Sequence, residues 1–485
     1  MGVERVQDPP TREVREEHIM RATKIRRQLV VALAAASLMT PLAASRGAPV
    51  AAGGRLAGTL HTTGTDTRIY SAAGQPVRLL GFNWPGTPTG GRTDALKAKD
   101  DCGNVWRTPA DKLSGLTFSY DNMYQVVHDW GYNTIRIPVS WNNLEPVAPV
   151  WNATTGQYMH TWSAAYLNDL RSMVTKAQAA GLWVVLDLHQ DFWSPALHHI
   201  VKWNGQQGLC EGVGMPRWLD PSIDAKASAT QQVDFYNAMN RFYRNIPDPA
   251  STLTHATPWQ LFWSAWSELS YVFSARSGFS AYRAVVGADL LNEPYAKYVG
   301  GSPPAGQSVL QAAGARLNAF YTAAAPAVTA DNPGWLVVFE DSTGGYNSTV
   351  PAGRETPVLT GRPGGDVNWV YSMHDYDFGY GTFSDGVARH DDFGITLMNV
   401  DLANAEAWHV PLYVGEFTNF ELGIPAWNLT SADMAQTAAF VSWAKQHAVS
   451  WTFWAYANTY PPMNVIDYRS NHAIAVVKST LAAGR

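Results

Sequence analysis

Residues 410–417 read Val-Pro-Leu-Tyr-Val-Gly-Glu-Phe, and residues 288–294 read Ala-Asp-Leu-Leu-Asn-Glu-Pro. Each is a short apolar run that ends in a glutamate, Glu416 in the first and Glu293 in the second. A carboxylate at the exit of an apolar strand is costly to bury unless it is paired or used. Two of them at strand C-termini fit a parallel barrel whose strand ends carry a paired-carboxylate site.

Working outward, the same kind of run recurs. The first is Gly81-Phe82-Asn83-Trp84, reached from a hairpin over residues 65–81 whose arms are 68–70 and 77–80. Further strands are expected at 133–138, 182–189, 335–340, 367–374 and 449–454. Helices are expected between most of them, at 121–131, 163–181, 229–244, 258–276, 307–330, 393–409 and 431–447, with a closing helix at 472–482. Ser431 is expected as an N-cap with Asp433 in the first turn, and 190–227 as a long loop. The strands are apolar throughout, which marks a sheet buried on both faces. Eight strand–helix units predict an α/β fold, the closed (β/α)8 TIM barrel with an N-terminal β-hairpin and long βα-loop insertions. The runner-up, an open doubly wound sheet, lacks a glycine-rich phosphate loop after any strand.

The chain starts differently. Arg21, Lys24, Arg26 and Arg27 precede an uncharged apolar run over 29–39, and small residues follow to Ala52. This is the order of a secretory signal peptide, and the run is short for a membrane span. The expected organisation is a leader over 1–52, cleaved near 43–52, and one catalytic domain over 53–485 that is secreted. No later segment is apolar enough for stable membrane insertion. The net charge of -5 gives no basic footprint for nucleic acid, and a monomer is expected. The 20 tryptophans fit both a large core and a sugar-binding cleft. The Trp-rich stretch 259–273 is expected to be the buried face of an outer helix, with a lipid-facing lip as the alternative. Two cysteines, Cys102 and Cys210, form a disulfide if the protein is exported.

Strand ends supply the candidate site: Asn83, Arg136, His189, Asn292, Glu293, His374, Tyr376, Glu416 and Trp454. Each has a plainer role open to it, Arg136 as an ion-pair partner, His189 as a core histidine, Trp454 as packing. Asp187, His189 and Asp191 could be read as metal ligands, but a barrel metallohydrolase places a His-x-His pair where Asn83-Trp84 stands. No metal or cofactor is expected.

Six stretches, GYNTIRIP (131–138), LDLH (186–189), LLNEP (290–294), MHDY (373–376), VGEF (414–417) and TFW (452–454), occur in an order that resembles glycoside hydrolase family 5, the cellulase-type retaining glycosidases. The resemblance implies that Glu293 is the general acid/base and Glu416 the nucleophile, with carboxyls about 5–5.5 Å apart. Arg136 and Tyr376 would keep Glu416 ionised, and its charge would favour the protonated form of Glu293. Asn292 would bond the sugar 2-hydroxyl, His189 and His374 other hydroxyls or Glu293, and Trp454 would floor the sugar ring. Asn83 joins them as a substrate-binding residue. The stretches 189–194 and 215–218 look like the endoglycoceramidase branch. That branch usually adds a C-terminal β-sandwich, for which the sequence after Trp454 leaves no room. The expected activity is therefore endo-β-1,4-glucanase-like. Hydrolysis of glycolipids or diglycosides with a large aglycone is the alternative, and a non-catalytic sugar-binding barrel is the third reading.

Overall fold

The computed structural model describes residues 59–84, 123–190, 193–203, 206–224, 232–294, 304–341, 359–375, 393–418, 428–456, 465–467 and 472–485. The expected leader, Cys102 and Tyr376 lie outside them, as does the side chain of Cys210.

Eight parallel strands close into a barrel: β1 (Leu80–Asn83), β2 (Thr134–Val139), β3 (Trp183–Leu188), β4 (Val285–Asp289), β5 (Leu336–Glu340), β6 (Asn368–Asp375), β7 (Leu412–Phe417) and β8 (Ser450–Phe453). Neighbours in sequence are neighbours in space, and β8 pairs with β1 to close the ring. Every residue of β1, β2, β4, β5, β7 and β8 is buried, as apolar strands flanked on both sides require. Where β1 passes β2, a Cβ on Gly81 would sit 1.7 Å from the Thr134 carbonyl oxygen, so only glycine lets the two backbones approach there.

Helices α1 (Met123–Asp129), α2 (Ala164–Ala179), α3 (Gln232–Tyr243), α4 (Pro258–Val272), α5 (Val309–Thr329), α6 (Phe393–Trp408), α7 (Ala435–Gln446) and α8 (Ala475–Ala483) follow the expected pattern. Three starts are set by local chemistry. Ser163 caps α2, and Thr257 with Gln260 and Ser308 with Gln311 form capping boxes on α4 and α5; such a cap is worth about 1 kcal/mol. The start of α7 departs from expectation. Thr430 donates from both its N–H and its hydroxyl to the Asp433 carboxylate, which ties residues 430–433 into a turn. The helix begins at Ala435 with Met434 as its cap.

Two cores result. Val185, Val286, Leu336, Val338, Val370 and Tyr413 fill the barrel interior together with Leu60, Ile69 and Leu79 from the N-terminal segment. The hairpin Ile69–Tyr70/Pro76–Val77 belongs to a three-stranded sheet, and Thr62 of that sheet donates to Asn368 at the start of β6. The N-terminal mouth is therefore plugged, and the open mouth is at the strand C-termini. The larger core lies between strands and helices. In α4, Phe262 and Trp266 are fully buried and the Trp266 indole donates to the Leu290 carbonyl, whereas Tyr271 faces solvent. The core-facing reading of that helix holds.

The segment expected as a loop over 190–227 contains an antiparallel hairpin, His198–Trp203 with Gln206–Glu211. The Asn204-Gly205 dipeptide between the arms is a strong hairpin signal that the loop reading passed over. A second hairpin, Val150–Asn152 with Gln157–Met159, stands between β2 and α2.

Candidate active site

At the open mouth, Arg136 on β2 is the centre of a buried polar layer and is itself 0% exposed. Its Nε donates to Asp289 (3.0 Å), Nη1 to Asn83 (3.0 Å) and to Glu416 (2.6 Å), and Nη2 to Asn292 (3.0 Å), with Asp187 3.1 Å away. Register explains the convergence. Asn83 pairs with Arg136 across β1–β2, and Asp187 pairs with Asp289 across β3–β4. Burial opposes the guanidinium charge, but Asp187, Asp289 and Glu416 outweigh it and hold the group well above its ordinary value. One cation cannot balance three carboxylates. Burial, helped by Asp187 and Glu416, pushes Asp289 up to about 7 despite its two contacts with Arg136.

Asn83 donates its amide to the carbonyls of Gly415 (2.9 Å) and Thr452 (3.4 Å) while its oxygen serves Arg136. Asn83 and Arg136 are both fully buried; Arg136 holds the Glu416 carboxylate, and Asn83 holds Arg136 and the neighbouring Gly415 carbonyl.

Glu293 lies four residues past the end of β4, not at the strand end itself. Its backbone is left-handed, with φ 44°, a conformation non-glycine residues adopt only where neighbours impose it. The turn is held from two sides. Gln190 donates its side-chain amide to the carbonyls of Asn292 and Glu293, both at 3.0 Å, and the Glu293 N–H donates to Glu340 Oε2 at 3.0 Å. Gln190 and Glu340 were not among the residues picked from sequence. Nor were Asp187 and Asp289 assigned a place in the site, although a charged residue inside an apolar strand is a signal for a buried partner.

His374 follows a register shift in β6 that sets it opposite Glu416. Its Nδ1 lies 3.0 Å from Glu293 Oε1, 3.5 Å from Glu340 Oε1 and 3.6 Å from Glu416 Oε2. Burial pulls this imidazole down to about 3, so it is neutral. Its one proton belongs on Nδ1, which faces three carboxyls; Nε2 has no hydrogen-bond partner. A Cβ on Gly415 would come within 2.8 Å of that Nε2, so glycine is needed for the ring to fit.

His189 donates from Nδ1 to Asp187 Oδ2 at 2.7 Å, and its Nε2 lies 3.4 Å from the Asn292 amide. Its ring stacks on Trp454 with centroids 5.4 Å apart and an interplanar angle of 12°. The site residues expected from sequence therefore meet at one mouth, with Tyr376 outside the described residues.

The chemistry of the mouth is set by the pair of glutamates. Carboxylate oxygens of Glu293 and Glu416 lie, with a nitrogen of His374, within 4.8 Å of one another. The Glu293 side chain is 14% exposed and that of Glu416 4%. Asp187, His189 and Glu416 also bring donor atoms together within 4.8 Å. In both clusters Glu416 already accepts from Arg136, so its charge is met by an organic cation. A pair of carboxyls at one mouth can serve displacement through a covalent intermediate when they stand about 5–5.5 Å apart, or inversion when they stand about 6.5–9.5 Å apart with room for a water.

Comparisons with known proteins bear on the family and the fold. The chain matches the cellulase family, glycosyl hydrolase family 5, over residues 71–459. An endoglycoceramidase of Hydra vulgaris is 25% identical over 191 residues, which are 37% of this chain and 32% of that protein. One from Cyanea nozakii is 24% identical over 184 residues, 36% of this chain and 32% of its own. The chain spans about a third of the length of these curated relatives. A solved endogalactoceramidase shares the fold with a TM-score of 0.59 at 20% identity, over 87% of this chain and 84% of that one.

Proposed function

The chain belongs to glycosyl hydrolase family 5 and is a glycoside hydrolase, and on that footing we propose that it cleaves β-glycosidic bonds with retention, through a covalent glycosyl-enzyme on Glu416. The observation that supports this reading is that one carboxylate oxygen of Glu293 and one of Glu416 come within 4.8 Å of each other at the open mouth of the barrel.

In this reading Glu416, whose carboxylate accepts from Arg136 at 2.6 Å, attacks the anomeric carbon as the glycosidic C–O bond breaks. Glu293 passes its proton to the departing oxygen. In the second step Glu293 takes a proton from water, the water oxygen bonds to the anomeric carbon and Glu416 leaves as carboxylate. His374 donates to Glu293 and, being neutral, adds no charge that would compete for the proton. The Trp454 ring, backed by His189, offers a flat apolar face to a sugar. Asn83 and Arg136 position the nucleophile.

For the substrate we favour a β-glycoside with a large lipid aglycone over cellulose. Supporting this are the stretches 189–194 and 215–218 and the endoglycoceramidase relatives. The cellulase-like specificity has only the family as a whole behind it. The basic and apolar leader supports export, with residues 53–485 as one catalytic domain and Cys102 bonded to Cys210. Among the described residues no helix is long and apolar enough to cross a membrane.

The test is hydrolysis of glucosylceramide, a lactosyl glycolipid, soluble β-glucan, mannan and aryl β-glycosides, with the product anomer read by NMR. Retention with preference for the glycolipids supports both parts. Inversion rejects the mechanism, and preference for β-glucan returns the substrate to the cellulase-like reading.

A further inference from the structure

Glu340 ends β5 and takes no part in the two-step reaction above, yet it is completely buried among the groups that carry it out. Its main chain is fixed, since the Tyr321 hydroxyl donates to its carbonyl (2.9 Å) and lies 3.3 Å from its N–H. Its side chain accepts the Glu293 N–H through Oε2 at 3.0 Å. Among the described residues Oε1 has no hydrogen-bond partner, and it lies 3.5 Å from His374 Nδ1. The one guanidinium of this layer is taken up by Asp187, Asp289 and Glu416. A buried carboxyl with a single neutral donor and no cation of its own is stable only in its protonated form.

We propose that Glu340 is a positioning residue for Glu293, a neutral carboxyl that accepts the Glu293 N–H, fixes the left-handed turn and so aims the Glu293 side chain at the scissile oxygen. This rests on the reading of Glu293 as acid/base. A left-handed non-glycine residue is disfavoured by about 1–3 kcal/mol and persists only where its surroundings fix it. Gln190 holds the carbonyl side of the turn, and the amide side rests on Glu340. Neutrality is part of the role. An ionised Glu340 would place another negative charge beside Glu293 and Glu416 and compete with Glu293 for the single Nδ1 proton of His374. Burial, reinforced by Asp289 and Glu293, moves this carboxyl well above the ordinary range, in line with the geometry.

Glu340→Gln keeps an acceptor oxygen without charge, and Glu340→Leu removes the acceptor. Single-turnover glycosylation is measured for both on a poor-leaving-group glycoside and on an activated aryl glycoside, with kcat/KM against pH. For the Gln variant the expectation is activity within about threefold of the parent and an unmoved alkaline limb, the limb that reports the acid. For the Leu variant the expectation is a loss on the order of 100-fold on the poor leaving group, the scale of a misplaced catalytic group, and a much smaller loss on the activated one.

Three results overturn the proposal: a Gln variant as impaired as the Leu variant, an alkaline limb in the Gln variant displaced downward by about one pH unit or more, or equal losses on both substrates for Leu. If the Leu variant does not fold, the activity and pH profile of the Gln variant decide. Glu293→Ala is run alongside. Leaving-group dependence there but not in Glu340→Leu rejects the role of Glu340 alone. Its absence in Glu293→Ala rejects the acid/base reading with it.

Discussion

Replacing Arg136 with methionine removes the only guanidinium that, among the described residues, Asp187, Asp289 and Glu416 share. Methionine keeps most of the length of the side chain, so the change is largely one of charge and hydrogen bonding. Asn83 and Asn292 lose their donor as well. Breaking a buried ion pair from one side costs about 3–5 kcal/mol, against a total stability of about 5–15 kcal/mol for a folded domain. The variant should therefore fold but be severely weakened. The loss should also depend on pH. Asp289 is already pushed up to about 7 by burial with Arg136 holding it down, and without the cation its folded pKa rises further above the unfolded one. Its contribution is then fully present below the unfolded carboxylate range, near pH 4, and is lost as pH rises through the folded value. Urea unfolding at pH 5 and pH 8 should give a gap from wild type that is larger at pH 8. The acid limb of kcat/KM, which reports ionisation of the nucleophile, should move to higher pH. A loss below about 1 kcal/mol at pH 8, the range of an exposed pair, or an equal loss at both pH values would refute Arg136 as the sole cation of this layer.

Other outcomes follow from the same structure. Glu416→Gln should fold normally and lose turnover without rescue by azide, whereas Glu416→Ala should be partly rescued by azide acting as a small nucleophile; full activity of the Gln variant would remove the nucleophile assignment. On the outer side of β6, the Tyr371 hydroxyl faces both Asp401 (2.7 Å) and Asp341 (3.1 Å) and has one proton for the two. Burial, with Asp341 beside it, pushes Asp401 up to about 7 from an ordinary 3.8. Its contribution to stability is fully present below pH 3.8 and lost as pH rises through about 7, so the Tm of Asp401→Asn should gain on wild type between pH 5 and pH 8; an unchanged Tm difference would contradict this. In exported protein, mass spectrometry should find Cys102 bonded to Cys210, and reduction should lower stability by up to about 4–5 kcal/mol; two free thiols would exclude the bridge.

The barrel was legible in the sequence because its strands are apolar runs of similar length, most of them carrying a polar residue in or just after the run. The same runs supplied Arg136, His374 and Glu416, which the fold brings to one mouth. Less legible was what depends on pairing between distant strands. Asp187 and Asp289 become partners of Arg136 only once β2, β3 and β4 stand side by side; the charge within each run signals a buried partner but not which one. Glu293 read as a strand end, but the strand stops at Asp289 and the glutamate is carried on a left-handed turn. That turn is imposed by Gln190 and Glu340, from two other strand ends, and so is a tertiary effect that overrides local preference. Asn83 read as a cleft residue because its position matched the others, while its hydrogen bonds commit it to the layer below. Substrate choice was least legible, since it rests on the shape of insertions such as 86–118 and 190–228 rather than on any periodicity.

The most direct measurement is made on Glu293→Ala with an activated aryl β-glycoside and with a poor-leaving-group glycoside in single-turnover mixing, followed by mass analysis of the quenched protein. An activated leaving group needs no proton, so glycosylation of Glu416 should stay fast on the aryl substrate and collapse on the other. Hydrolysis of the intermediate still lacks its base. The predicted result is a protein heavier by one glycosyl unit, with the added mass on the peptide that contains Glu416. Equal losses on both substrates, with no added mass at Glu416, would contradict a double displacement between these two carboxylates.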